Sequence, residues 1–142
     1  MLYVDTSVFV PFFVPEPTSP AVEEWFERVG LDAVALSSWT LTEFASAIGA
    51  KVRMKLIPSD SAAAVLLRFH ALARDSLPPI VPTGRDFVEA ARLMEQFDLG
   101  LRAGDALHLA IARSADAARF VTLDKPLVAA AEWAGLACEL PV

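Results

Sequence analysis

MLYVDTSVFV, residues 1–10, is the stretch that decides the fold. Leu2, Tyr3 and Val4 form a short β-prone run without polar alternation, the pattern of a parallel strand covered on both faces. Asp5 ends the run, and Thr6 or Ser7 is placed to cap a helix that begins with Val8 and Phe9. In open α/β sheets ligands bind just outside the carboxyl ends of the strands, which is where Asp5 falls. The same residue reads equally well as turn or cap chemistry, so this stretch alone leaves its role open.

Working outward, strands and helices alternate. Val8–Val14 reads as a short apolar helix interrupted by Pro11, and Ser19 followed by Pro20 as the start of a helix that Gly30 closes. Ala33–Leu36 is a second strand. Ser37 or Ser38 caps a helix over about Trp39–Lys55, and Ser59 opens another to Asp75. Ile80 and Val81, inside the cluster Pro78, Pro79 and Pro82, make a minimal third strand. Thr83 with Asp86 forms a capping box for a helix to Gln96. A helix over Gly104–Ala115, a strand Arg119–Leu123, a helix Pro126–Trp133 and a strand Leu136–Leu140 complete the chain. The alternation predicts an α/β fold with a parallel sheet, and the 142 residues fit a single domain spanning 1–142.

Hydrophobic residues make up 55% of the chain, which predicts apolar surface set aside for a partner. Charges or prolines break every apolar segment before the roughly 18 to 20 residues that a membrane span needs. No basic leader precedes Asp5, so a cytoplasmic protein is expected. Cys138 is the single cysteine, which excludes an internal disulfide and a cysteine-based zinc site; it reads as a small buried filler. A net charge of -6 argues against a broad basic face for nucleic acid. A divalent cation held by converging acids would reverse that potential locally.

Four acids occupy comparable places: Asp5 after the first strand, Glu43 early in a helix, Asp105 at a helix start, and Asp124 after the strand that ends at Leu123. Parallel strands release their carboxyl ends on one edge, so these groups can converge. Crowded carboxylates repel, and an all-oxygen cluster suits a hard cation such as Mg²⁺ or Mn²⁺. Each acid taken singly is also an ordinary cap or first-turn residue. MLYVDTSVFV, WTLTEFASAI, LRAGDALHLAIA and RFVTLDKPLVAAA, in that order across nearly the whole chain, together resemble the PIN-domain ribonucleases, and among them the VapC-type toxins. The resemblance implies a central four- or five-stranded parallel sheet with helices on both faces. It implies that Asp5, Glu43, Asp105 and Asp124 form an acidic metal pocket for Mg²⁺ or Mn²⁺, in which metal-activated water cleaves RNA phosphodiesters without a protein nucleophile. It also implies a homodimer and inhibition by a VapB-type antitoxin laid across the pocket.

Thr6, Ser7 and Thr122 are candidate hydrogen-bond donors to the carboxylates, and each reads equally well as a plain cap. His108 shares a helical face with Asp105, which allows a general-acid role or a contact to RNA, although a histidine inside ALHLAIA is more often a packed, hydrogen-bonded residue. Arg102, Lys51 and Arg53 are candidates to neutralise a pocket acid or hold a phosphate, with surface solvation as the commoner role. Lys125 reads equally as a contact to the substrate backbone or as an ordinary helix-entry lysine. Asp98 and Asp116 read as solvated helix-end residues outside the site. Phe9, Phe12, Phe13, Trp25, Phe26 and Trp39 exceed what the first strand needs, and part of the group is expected to form a partner groove. Two other readings compete. One is a PIN-like binding module without chemistry. The other is a phosphatase of the haloacid-dehalogenase type, which wants a second acid where Ser7 stands.

Overall fold

Three residues of strand set the plan because side chains alternate along it. In the computed structural model, which describes residues 1–142, strand β1 (Leu2–Val4) sends Tyr3 to one face and Val4 to the other, both fully buried. The chain then runs α1 (Thr6–Phe13), α2 (Ser19–Val29), β2 (Val34–Ala35), α3 (Ser38–Arg53), α4 (Ser59–Asp75), α5 (Gly84–Met94), α6 (Ala103–Ser114), β3 (Arg119–Val121), α7 (Lys125–Trp133) and β4 (Cys138–Glu139). Val4 joins a core built with α1 to α4, including Leu36, Phe44 and Phe69. Tyr3 joins a second core built with α5 to α7, including Leu109, Ile111 and Phe120.

The four strands are all parallel, in the order β2-β1-β3-β4. Leu2 faces Val34 on one side and Arg119 on the other, which makes β1 central. From β1 the chain proceeds outward to β2, and from β3 it proceeds outward to β4 on the opposite side. The strand order therefore reverses between β1 and β3, and a crevice opens at their carboxyl ends. The Asp5 N–H donates to Val121 O at 3.0 Å, carrying the β1–β3 ladder into that crevice.

Several boundaries differ from the sequence reading. Asp5 itself caps α1, accepting from Ser7 N, and the helix runs through Pro11 without a break. Thr18, one residue ahead of Ser19, is the N-cap of α2, so Pro20 sits at its second position. Ala33 belongs to a 3₁₀ turn, and β2 keeps only Val34 and Ala35. No third strand forms at Ile80 and Val81. Ile80 makes a single parallel bridge to Ser37, and the flanking prolines cannot donate to extend it. Ser37 and Thr83 both close capping boxes, with Thr40 and Asp86. The aromatic group lies mostly in the core: Phe9, Phe13, Trp25 and Phe26 are buried, while the large exposed apolar side chains include Phe87, Phe97 and Trp133. No helix is long and apolar enough to cross a membrane.

Phe69 holds the α1–α4 core together. Its ring stacks on Phe44 with centroids 3.9 Å apart and meets the edges of Phe9 and Phe13 at 5.7 Å. Phe69→Ala is expected to cost about 3–5 kcal/mol, read from the urea midpoint at unchanged slope.

Candidate active site

The crevice at the strand reversal is a cleft of about 330 Å³ lined by Asp5, Glu43, Asp105 and Asp124, together with Thr6, Ser7, Arg102 and His108. Each acid arrives on a different element. Asp5 closes β1, Glu43 stands in the second turn of α3, Asp105 lies in the first turn of α6, and Asp124 is the N-cap of α7. A larger hollow of about 590 Å³ opens beside α5 and the end of α6. Its Arg92 and Arg113 are both paired with Glu89, at 3.6 and 2.7 Å, and it gathers no comparable set of acids.

Asp5 is 4% exposed, and both of its oxygens are engaged. Oδ1 accepts from Ser7 N at 3.0 Å and from Ser7 Oγ at 2.5 Å, while Oδ2 accepts from Thr122 Oγ1 at 2.7 Å. Burial pushes its carboxyl up from the ordinary range, against the opposing pull of His108, Ser7 and Thr122. Glu43 has the reverse balance. Burial alone would raise it, but His108 and Thr6 hold it below the usual value. Thr6 Oγ1 donates to Glu43 Oε1 at 2.7 Å, and His108 Nε2 meets the same oxygen at 2.6 Å. The buried indole N–H of Trp39 finds no hydrogen-bond partner, yet its dipole also favours the Glu43 charge.

Asp105 is raised by burial and by repulsion from Asp124 and Glu43, with Arg102 opposing. Arg102 supplies the local counter-charge: its Nε lies 3.3 Å from Asp105 Oδ2 and its Nη2 3.7 Å from Asp124 Oδ2. This side chain is 81% exposed, so it is a loose partner. No three of these groups are drawn into a ready-made cation cage. The donor set nevertheless suits a hard cation: it is all carboxylate oxygen, and a guanidinium already stands in for positive charge between Asp105 and Asp124.

Other sequence candidates fall outside. Lys51 is bound to Glu16 Oε1 at 2.5 Å and is not free for phosphate. Arg53 and Lys125 do not line the cleft. Asp98 and Asp116 are exposed and remote from it. Cys138 is half-buried, and burial with repulsion from Glu132 and Asp5 pushes its thiol up to about 11. Gly104 escaped the sequence reading. A Cβ there would stand 2.7 Å from Glu43 Oε2 and 3.3 Å from the Trp39 ring, so only glycine lets α6 approach α3 this closely. The glycine before Asp105 was the available signal, but nothing in the sequence names its neighbour.

The PIN domain family model matches residues 2–132. No curated protein matches the chain by sequence at a comparable level. Among solved structures, the chain is similar to FitAcB from Neisseria gonorrhoeae, with 19% identity, a TM-score of 0.72, and 99% of this chain and 98% of that chain covered. It is similar to the sarcin-ricin loop cleaving toxin VapC20 from Mycobacterium tuberculosis, with 16% identity, a TM-score of 0.73, and 92% and 95% covered. It is also similar to VapBC2 from Rickettsia felis, solved with a promoter DNA fragment, with 18% identity, a TM-score of 0.70, and 99% and 98% covered.

The raised Asp5 carboxyl has a signed consequence. Its folded state holds the proton more tightly than the unfolded chain, so its contribution to stability falls as pH climbs from 3.8 through the folded value. Asn keeps the shape and can accept from Ser7 N while donating to Thr122. Asp5→Asn is therefore expected to raise the thermal midpoint near pH 7 without divalent cations. The gain should vanish near pH 3, where the carboxyl is protonated in both states.

Proposed function

Because this chain belongs to the PIN-domain family, we propose that it is a metal-dependent endoribonuclease, the toxin of a type II toxin–antitoxin pair acting in the cytoplasm as a single domain over residues 1–142. The observation that carries the reading is the convergence of Asp5, Glu43, Asp105 and Asp124 from separate elements on one cleft at the strand reversal. These four acids hold Mg²⁺ or Mn²⁺. Bound there, the cation would lend Lewis-acid charge to the scissile phosphate and make an attacking water more acidic.

The chain's own groups do the positioning. Ser7 and Thr122 fix the two oxygens of Asp5, and Thr6 fixes Oε1 of Glu43. Both acids are thus presented in set orientations before any ligand enters, which lowers the cost of assembling the site. Arg102, exposed and loosely held by Asp105 and Asp124, is the side chain free to turn toward a phosphate. RNA reaches a protein of net charge -6 through this one neutralised spot rather than through a basic face.

The partner is a VapB-type antitoxin, and the protein forms a homodimer. VapC20 is described as cleaving the sarcin-ricin loop, and RNA is the substrate class assigned here. Met54, Leu56, Leu67, Phe97 and Trp133 are each more than half exposed, which leaves apolar surface for these contacts. Light scattering behind size exclusion is expected to give twice the chain mass at micromolar concentration, and a monomer throughout would contradict the dimer.

Asp105→Ala and Asp5→Asn are expected to lose Mn²⁺-dependent RNA cleavage by about 100-fold or more, since the cation's share of the barrier is several kcal/mol. End-labelled RNA incubated with each variant, with fold checked by circular dichroism, measures this. A wild-type protein that neither binds Mn²⁺ nor cuts any RNA would favour the binding-module reading instead.

A further inference from the structure

His108 is 1% exposed in the middle of an apolar helix, and both of its ring nitrogens are committed. Nδ1 lies 2.8 Å from the Tyr3 hydroxyl, and Nε2 lies 2.6 Å from Glu43 Oε1. Tyr3 is itself fully buried on the central strand, stacked on Phe120, with its hydroxyl also 2.8 Å from Ser37 Oγ. Ser37 in turn caps α3, the helix that carries Glu43. The sheet, α6 and α3 thus meet in one closed set of side-chain contacts whose only partly exposed member is the Glu43 carboxylate.

The two donors on that carboxylate converge on one oxygen. Thr6 and His108 both take Oε1, while Oε2 lies beside the Trp39 indole, which also favours the Glu43 charge. Oε2 and the Trp39 ring pack where a Gly104 side chain would stand. A carboxylate with one oxygen held by two fixed donors keeps a set orientation. Metal-binding groups are commonly aimed by a hydrogen-bonding partner behind them, and here an imidazole stands behind the acid.

We propose that His108, locked in place by Tyr3, is a positioning residue that holds Glu43 by Oε1 and so fixes the orientation in which its carboxylate would meet the cation. This rests on the metal-dependent reading given above. His108 does not touch the reacting atoms and acts only through Glu43. It forms part of the cleft's back wall at 1% exposure, and Tyr3 holds the ring toward the acid.

The test is Mn²⁺ titration by calorimetry on the full chain without RNA, with folding followed by circular dichroism and thermal unfolding. His108→Leu is expected to weaken Mn²⁺ binding about 10- to 100-fold, and Tyr3→Phe about 10-fold. His108→Gln, which can return an N–H to Oε1, is expected to recover much of the loss. In a Glu43→Gln background His108→Leu should cost nothing further, because its effect passes through the acid already removed. A general packing defect would instead add to the Glu43→Gln loss, and that result overturns the proposal. So does a folded His108→Leu protein with wild-type affinity. If His108→Leu does not fold, Tyr3→Phe decides, since it keeps the ring in the core, and unchanged affinity there is equally fatal. A wild-type protein that binds no Mn²⁺ fails the metal reading itself, a result distinct from wild-type binding that His108 leaves untouched.

Discussion

A buried carboxylate at the end of the central strand is the constraint on which the rest of the structure depends. Asp5 leaves β1, caps α1 through Ser7 and is tied to β3 through Thr122, so one side chain joins the strand, the helix that follows it and the neighbouring strand. Burying an acid this deeply is unfavourable unless its lone pairs are met, and all the donors that meet them belong to the crevice. Asp5 caps the helix with one oxygen while the same carboxylate lines the cleft.

The electrostatics of the cleft follow from that placement. Burial drives Asp5 and Asp105 toward the neutral form, whereas Glu43, backed by His108 and Thr6, stays below the ordinary range. The acids are therefore not equivalent, although sequence position treats them alike. Arg102 offsets part of the remaining repulsion from outside, through contacts weak enough to be exchanged. The site is a set of acids with one buried hydrogen-bonding partner anchored behind Glu43 and one loosely held guanidinium in front of Asp105 and Asp124.

Much of this was legible in residue order. The apolar run Leu2–Val4, the caps at Ser37 and Thr83, and the acids at the ends of elements follow from local chemistry, which short windows carry well. Boundaries were less legible at Ala33 and Ile80, where a 3₁₀ turn and a proline-flanked bridge replaced residues with good strand propensity. Pairings across long separations were not legible at all. His108 has the sequence of a packed residue and is packed, but the acid it holds lies 65 positions away. Lys51 looked free because Glu16, its partner, is 35 positions upstream. Gly104 could be noticed, yet its reason is the Glu43 side chain on another helix, and no window includes both.

The sheet's borders carry a consequence for association. On one side β2 is two residues long and is followed outward only by the lone Ile80 bridge, framed by Pro78, Pro79 and Pro82. On the other, β4 is again two residues, one of them Glu139, which receives Trp25 Nε1 and lies near Arg28 and Arg119. Short, charged and proline-flanked margins offer little backbone for an added strand. The molecule is thus insulated against sheet-to-sheet aggregation despite an apolar composition, and a second chain must be recognised by helical surfaces and their side chains.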